Sequence, residues 1–276
     1  MPAAARLWAI AELLQARAAP GRPAELRAFF VGGQAVGWVA PPVAAFLAGD
    51  AAAFRLDGDG LRLRDDGLDA AARSGLLRAA ALRLRDAGLV RGWRDELLAV
   101  RPPGVATVLA SIERAACRAF GITTEAVHLN AYADDGCLVV ARRAAHKPID
   151  PDRWDNLVGG MVPAGETLEQ ALEREAWEEA GLELDRIEVH RGRSFHVERP
   201  VAEGFQSEII HVYDATLSAD TICTNQDGEV AVIAQRSIAE IVSAIENDEF
   251  TLEAALVTLD SLARRSGSAM PAGLYA

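Results

Sequence analysis

The stretch from Gly160 to Leu182, GMVPAGETLEQALEREAWEEAGL, restricts the folding of this chain more than any other part of it. Thr167 with Gln170 three residues on is the signature of a capping box, and Gly181 suits the position just past a helix end. A helix is therefore predicted between them, entered from a loop that contains Gly159, Gly160, Pro163 and Gly165. On that helix Glu175, Glu178 and Glu179 recur at i, i+3 and i+4 and share one face. The same face carries Leu168, Ala171 and Leu172 one and two turns earlier, so an apolar, core-facing stripe turns acidic partway along. Like charges at these spacings repel by about 0.2–0.5 kcal/mol per pair even in water, and the arrangement calls for a compensating cation. A hard divalent ion with oxygen ligands, Mg²⁺, fits that need. Glycine at 159 and 160 permits close backbone approach, which makes a carbonyl at Gly160 a further candidate ligand.

The spacing reads as a Gly, five residues, a Glu, seven residues, then Arg-Glu-apolar-x-Glu-Glu-x-Gly-aliphatic, carried by Gly160, Glu166, Arg174, Glu175, Glu178, Glu179, Gly181 and Leu182. In this the chain resembles the Nudix hydrolases, with Ala176 where their pattern has a bulkier aliphatic residue. The resemblance implies an α/β fold, an α/β/α sandwich around a mixed sheet, and hydrolysis of a diphosphate joined to another moiety by water activated at Mg²⁺ or Mn²⁺. It implies metal ligands at Glu175, Glu178 and Glu179, an orienting role for Arg174, and a bracing role for Glu166. The chemistry agrees with the charge: a protein of net charge −12 holds a diphosphate against carboxylates only with cations between them.

The rest of the chain sets limits. Its 276 residues, half of them hydrophobic, suffice for two modest domains: an N-terminal α+β domain over 1–104, and a catalytic domain over 105–276 that opens with a linking helix over 105–120. The acidic balance argues against nucleic acid as a partner. Cys117, Cys137 and Cys223 are odd in number and widely spaced, which suits a reducing cytoplasm better than a disulfide framework. No stretch reaches eighteen apolar residues, so no membrane span is expected. The opening segment reads as an amphipathic helix rather than a signal peptide, because Arg6 and Glu12 interrupt its apolar run.

Ahead of the glutamate helix, AFFVGGQAVGWVA reads as two strands about Gly32 and Gly33, and FRLDGDGLRL as a second hairpin turning at 57–60. A helix follows over 68–87 with Gly88 as its stop, then a strand or short helix into Pro102, Pro103 and Gly104, a hinge candidate. Trp38, Trp93, Phe29, Phe30 and Phe54 read as core rather than ligand platforms. Later strands are expected at AVHLNAYA, CLVVARR, 187–198, 205–217 and 229–234, with helices near 237–247 and 252–265.

WRDELLAV, HLNAY, ARRAAHK before WDNLVGG, SEIIHVYDATL and NQDGEV together resemble the Nudix subfamily that precedes thiamine pyrophosphokinase in some fungal fusions. That likeness implies a small-molecule diphosphate substrate, thiamine diphosphate or its oxidised analogues, cleaved to the monophosphate and phosphate. Arg142, Arg143, His146 and Lys147 form a basic run whose cations suit a distal phosphate. Glu229 is preferred over Glu208 as an extra ligand or general base. Trp154, Phe195 and Phe205 are candidates for stacking on a heterocycle, with core packing the commoner role. His190, His196 and His211 lack ligand spacing and read as strand residues. Competing readings are a hydrolase of ADP-ribose or another nucleoside diphosphate derivative, a diphosphate isomerase needing a catalytic cysteine, and a non-catalytic ligand-sensing module. Homodimerisation, cover over the site, or substrate contacts are the roles open to the N-terminal segment.

Overall fold

The computed structural model describes residues 4–58, 60–268, 270, 271, 273 and 275. After helix α1 (Ala4–Ala18) come strands β1 (Arg27–Val31) and β2 (Gln34–Val39), helix α2 (Pro41–Ala48), strands β3 (Phe54–Asp57) and β4 (Gly60–Leu63), and helix α3 (Ala70–Asp86). Gly32 and Gly33 both adopt positive φ, 58° and 73°, as a two-residue turn of type I′ requires. The strands form a sheet of order β2-β1-β4-β3 whose inner residues, Phe29, Val31, Val36, Phe54 and Leu61, meet Leu77, Ala81 and Leu84 of α3. The expected core role of Phe29 and Phe54 holds, whereas Trp38, Phe30 and Trp93 lie at the rim beneath Arg22, Arg62 and Arg85.

The predicted linking helix is absent. Residues 97–113 instead make a hairpin of β5 (Leu97–Val100) and β6 (Ala110–Glu113), and only α4 (Cys117–Phe120) is α-helical. Leu98, Val100, Ala110 and Ile112 point into the core under α3, so alternation with period two overrides the helical propensity of the alanines. Pro102, Pro103 and Gly104 then lie in the loop of this hairpin.

The second sheet is mixed. Strands β7 (Thr123–Ala133), β8 (Leu138–Arg143), β9 (Trp154–Asn156) and β10 (Val158–Met161) precede helix α5 (Leu168–Ala180), and β11 (Val189–Val201), β12 (Gly204–Leu217) and β13 (Val230–Arg236) follow it. The order is β11-β12-β7-β8-β13, with β10 on β7 and β9 on β8, and β12 runs parallel to β7. Alternate residues face opposite layers. Val127, Leu129, Ala131, Tyr213 and Ala215 pack under α5, while Tyr132, Ile210 and Val212 face helices α6 (Ile238–Glu246) and α7 (Leu252–Arg265). The result is the expected α/β/α sandwich, and α1 completes its outer layer. Leu7, Ile10, Ala11, Leu14 and Ala18 of α1 are buried with α7 and β11, far along the chain from the sheet that follows them.

Interlocked glycines join the two sheets. A Cβ on Gly37 of β2 would stand 2.4 Å from the Phe120 carbonyl oxygen, and one on Gly121, at φ 57°, would stand 2.2 Å from that of Trp38. Backbone cannot yield as a side-chain tip can. Gly37→Ala is therefore expected to destabilise the protein by about 1–3 kcal/mol, the usual range for overpacking, read as a lower urea midpoint at constant slope.

Candidate active site

Helix α5 starts and stops as the sequence dictates. The Thr167 hydroxyl accepts from the Gln170 amide at 3.2 Å, the Gln170 side chain accepts from the Thr167 amide at 2.9 Å, and Gly181 closes the helix at φ 64°. Fixing both ends sets the rotation that carries Glu175 and Glu179 inward, to 9 % and 7 % exposure, while Glu178 stays at the rim.

Arg174 organises the cluster. Its Nε contacts both Glu166 carboxylate oxygens at 3.2 Å, its Nη1 reaches Glu175 at 2.8 Å and Glu178 at 3.0 Å, and its Nη2 donates to the Met161 carbonyl at 3.2 Å. Glu166 thus braces Arg174 from the loop, as expected. Glu179 is held differently: its Oε2 accepts the Gly159 amide at 2.8 Å. Burial pushes the Glu179 carboxyl well above its ordinary value, and the charge of Glu175 adds to this. Burial also raises Glu175, against the opposing pull of Arg174.

Gly159 and Gly160 are not the loop residues that the sequence suggests. Both lie in β10, opposite His128 and Val127 of β7. Gly160 has no room for a side chain, since an added Cβ would stand 1.9 Å from the Glu175 carboxyl carbon. The bare strand lets the carboxylate lie against the backbone.

The cluster opens on a cleft of about 430 Å³ whose other wall carries Arg143, Lys147, Asp227 and Glu229. Lys147 bonds Glu229. Burial pushes the Glu229 carboxyl up, but the bond from Lys147, its charge and those of Arg94 and Arg114 outweigh this and hold it below the ordinary value. Arg143 is fixed by Asp155 at 2.9 Å and by the Ile149 and Asp150 carbonyls. Arg142 does not join them. Neighbours on a strand point to opposite faces, and Arg142 turns outward, where its Nε donates to the Asp152 carbonyl at 3.0 Å. His146 is likewise exposed.

Behind the cleft lies a second cavity of about 640 Å³, floored by Thr124, Ala126 and His128 of β7 and by Gln206 and Glu208 of β12. Cleft and chamber share Arg94, Arg114, Arg143, Gly159 and Gly160 in their walls. Glu208 belongs to the chamber rather than the cleft. It is 5 % exposed, accepts from the Thr124 hydroxyl at 3.3 Å, and has its carboxyl raised by burial and by Glu253. His128 is steadied by Asn156 at 2.9 Å, which in turn bonds Asn130 and Thr258 of α7. Among the described residues no phenylalanine, tyrosine or tryptophan lines either cavity. Trp154, Phe195 and Phe205 are core residues, with Trp154 beneath Arg236 and Phe195 stacked on Tyr275. The strand role expected of the histidines holds too: His196 bonds Ser207 at 2.9 Å and His211 bonds Ser194 at 3.0 Å, while burial, with Arg191 and Arg101, lowers His211 to about 4.

The donor set suits a hard divalent cation. Two buried carboxylates repel one another beside a bare backbone strand, with a third at the rim, and the donors are oxygens. Among the described residues no three acidic, histidine or cysteine side chains already converge on one point, because Arg174 draws Glu175 and Glu178 toward itself.

Comparison with known proteins agrees with this geometry. Residues 123–257 match the NUDIX domain family, and residues 10–124 match a domain of unknown function (DUF4743). Nudix hydrolase 20 of Arabidopsis thaliana, described as chloroplastic, is 34 % identical over 189 residues, covering 66 % of this chain and 50 % of its own length. Nudix hydrolase 24 of the same plant, also chloroplastic, is 33 % identical, covering 66 % and 51 %. The crystal structure of DR0079 from Deinococcus radiodurans shares 24 % identity at a TM-score of 0.48, covering 62 % of this chain and 98 % of that one. This chain thus carries a NUDIX domain and has Nudix hydrolases as its homologues. It spans about half the length of the curated relatives it matches. No helix among the described residues is long and apolar enough to cross a membrane.

The sequence reading missed Arg94 and Arg114, which enter the cleft from the N-terminal side of the chain. Nothing in the spacing of WRDELLAV tells that its arginine comes within 3.9 Å of Glu229, 135 residues further along the chain.

Proposed function

We propose that this protein is a divalent-metal-dependent pyrophosphohydrolase of a small organic diphosphate. The observation that carries the reading is the buried pair Glu175 and Glu179, held by Arg174 and by the Gly159 amide, beside a cleft lined by charges of both signs and next to a chamber large enough for an organic group. Glu175, Glu178, Glu179 and the Gly160 carbonyl would hold a divalent ion, and the chemistry such an ion would supply here is acidification of water and neutralisation of phosphate charge. Arg174 keeps the carboxylates in place, while Lys147 and Arg143 offset the negative charge of the phosphates. Water adds to one phosphorus, the bridging P–O bond breaks, and a carboxylate of the cluster takes the proton that water loses. Glu229, tied to Lys147 and held acidic by it, serves to aim that lysine and is a poor base in this state.

For the substrate we favour thiamine diphosphate or an oxidised analogue, giving the monophosphate and phosphate, in a cytoplasmic setting. Support comes from the sequence likeness along nearly the whole chain and from Glu208. A buried carboxyl that can donate and accept suits the edge of a pyrimidine carrying an amino or oxo group. A screen with Mg²⁺ over thiamine, oxythiamine, nucleoside and sugar diphosphates and ADP-ribose, following phosphate and phosphomonoester products, tests both levels. Preference for the thiamine class is the expected result. Turnover of ADP-ribose alone would move the assignment to nucleoside diphosphate derivatives, and no turnover of any diphosphate would sink the hydrolase reading.

A further inference from the structure

Hairpin β5–β6 packs one face into the core under α3, and its edge is tied to the active site. The Ala164 amide, in the loop that leads to α5, donates to the Leu97 carbonyl at 2.7 Å, so the hairpin edge and the glutamate loop are hydrogen-bonded directly. At its base lies Glu113, 2 % exposed, whose Oε1 accepts the Arg94 amide at 2.8 Å and the Ala115 amide at 3.3 Å. One buried carboxylate thereby holds together the two segments that carry Arg94 and Arg114. The Arg114 guanidinium is set by Glu96 at 2.7 Å, and Arg94 stands 3.9 Å from Glu229. Both line the cleft and the chamber alike.

We propose that the N-terminal region is the second half of the substrate site, with Arg94 and Arg114 gripping the diphosphate opposite the α5 carboxylates where cleft and chamber meet. The inference rests on the hydrolase reading above for the identity of the ligand, though not for the grip itself. Its physical basis is charge. In a chain of net charge −12 a phosphate beside the α5 glutamates needs cations around it, and the facing wall takes Arg143 and Lys147 from the C-terminal part of the chain and Arg94 and Arg114 from the N-terminal part, interspersed with Glu96, Asp227 and Glu229. Arginines from the other half complete the wall, and their planar forks suit phosphate oxygens. The chamber beyond them is roofed by the same region, through Leu89, Arg91, Ala115 and Arg118, so the organic group and the diphosphate both touch it.

Inorganic pyrophosphate, titrated calorimetrically into the 276-residue protein with Mg²⁺ present, is the probe. Wild type and Arg55→Ala, a change on the far hairpin β3–β4, are expected to bind it equally. Arg114→Gln and Arg94→Gln are each expected to weaken binding at least tenfold with unchanged thermal midpoint, and Arg114→Lys to recover part of the loss. In turnover, the same variants should raise KM more than they lower kcat. Pyrophosphate bound equally by wild type and by the double Gln variant, or by neither, overturns the proposal. Should pyrophosphate binding depend on the arginines while no diphosphate is cleaved with Mg²⁺ present, the grip stands and the hydrolase reading falls. Cleavage with KM unchanged in the double variant gives the reverse.

Discussion

Glu179→Gln is expected to lower kcat for diphosphate cleavage by at least about 10³-fold, roughly 4 kcal/mol of transition-state stabilisation, while leaving the thermal midpoint unchanged or higher. The two halves of the prediction have one cause. Glu179 is buried, receives one backbone hydrogen bond from Gly159, and faces the charge of Glu175, so its ionised form is costly to the apo fold. Glutamine keeps the acceptor for Gly159 and removes the charge. A residue kept for stability would behave the opposite way, with activity retained and the midpoint lowered. A ligand-sensing module with no catalysis would lose only affinity, so steady-state kinetics and a melting curve on one variant separate three readings.

Gly160→Ala is expected to reduce activity by about a hundredfold or more, roughly 3 kcal/mol, at small cost in stability. The new methyl would stand 1.9 Å from the Glu175 carboxyl carbon and 2.0 Å from its Oε1. Gly160 is in ordinary strand geometry, with no positive φ, so the backbone accepts alanine and the carboxylate is what must move. Displaced Glu175 leaves Arg174 and swings out of the cleft. Gly37→Ala is the contrast: there the obstacle is a carbonyl oxygen and the loss falls on stability. A Gly160→Ala protein with wild-type kcat would show that Glu175 does not need its place against β10.

Much of this site is legible in the primary structure because it is local. Capping at Thr167 and Gly181 sets the limits of α5, and 3.6-residue periodicity then fixes which glutamates turn inward. Arg174, at i and i+4 to Glu178, contacts it as the spacing foretells. Context overrides local preference elsewhere. The alanines of 105–120 carry a helical preference that pairing with β5 overrode, and Gly159 and Gly160, despite their loop-like composition, form a strand because β7 supplies its hydrogen bonds. Arg142 and Arg143 look equivalent in a basic run, yet strand alternation admits only the second to the cleft.

The acidic helix and its caps follow from the order of the amino acids alone, since each depends on contacts within a few residues, and the sandwich was implied by the family resemblance. Long-range packing places α1 in the α7 layer, sets Glu208 in the floor of the chamber apart from the α5 glutamates, and brings Arg94 and Arg114 into the cleft that those glutamates line. Those placements depend on chain segments separated by tens to hundreds of residues, and no local propensity records which distant surface a side chain will meet.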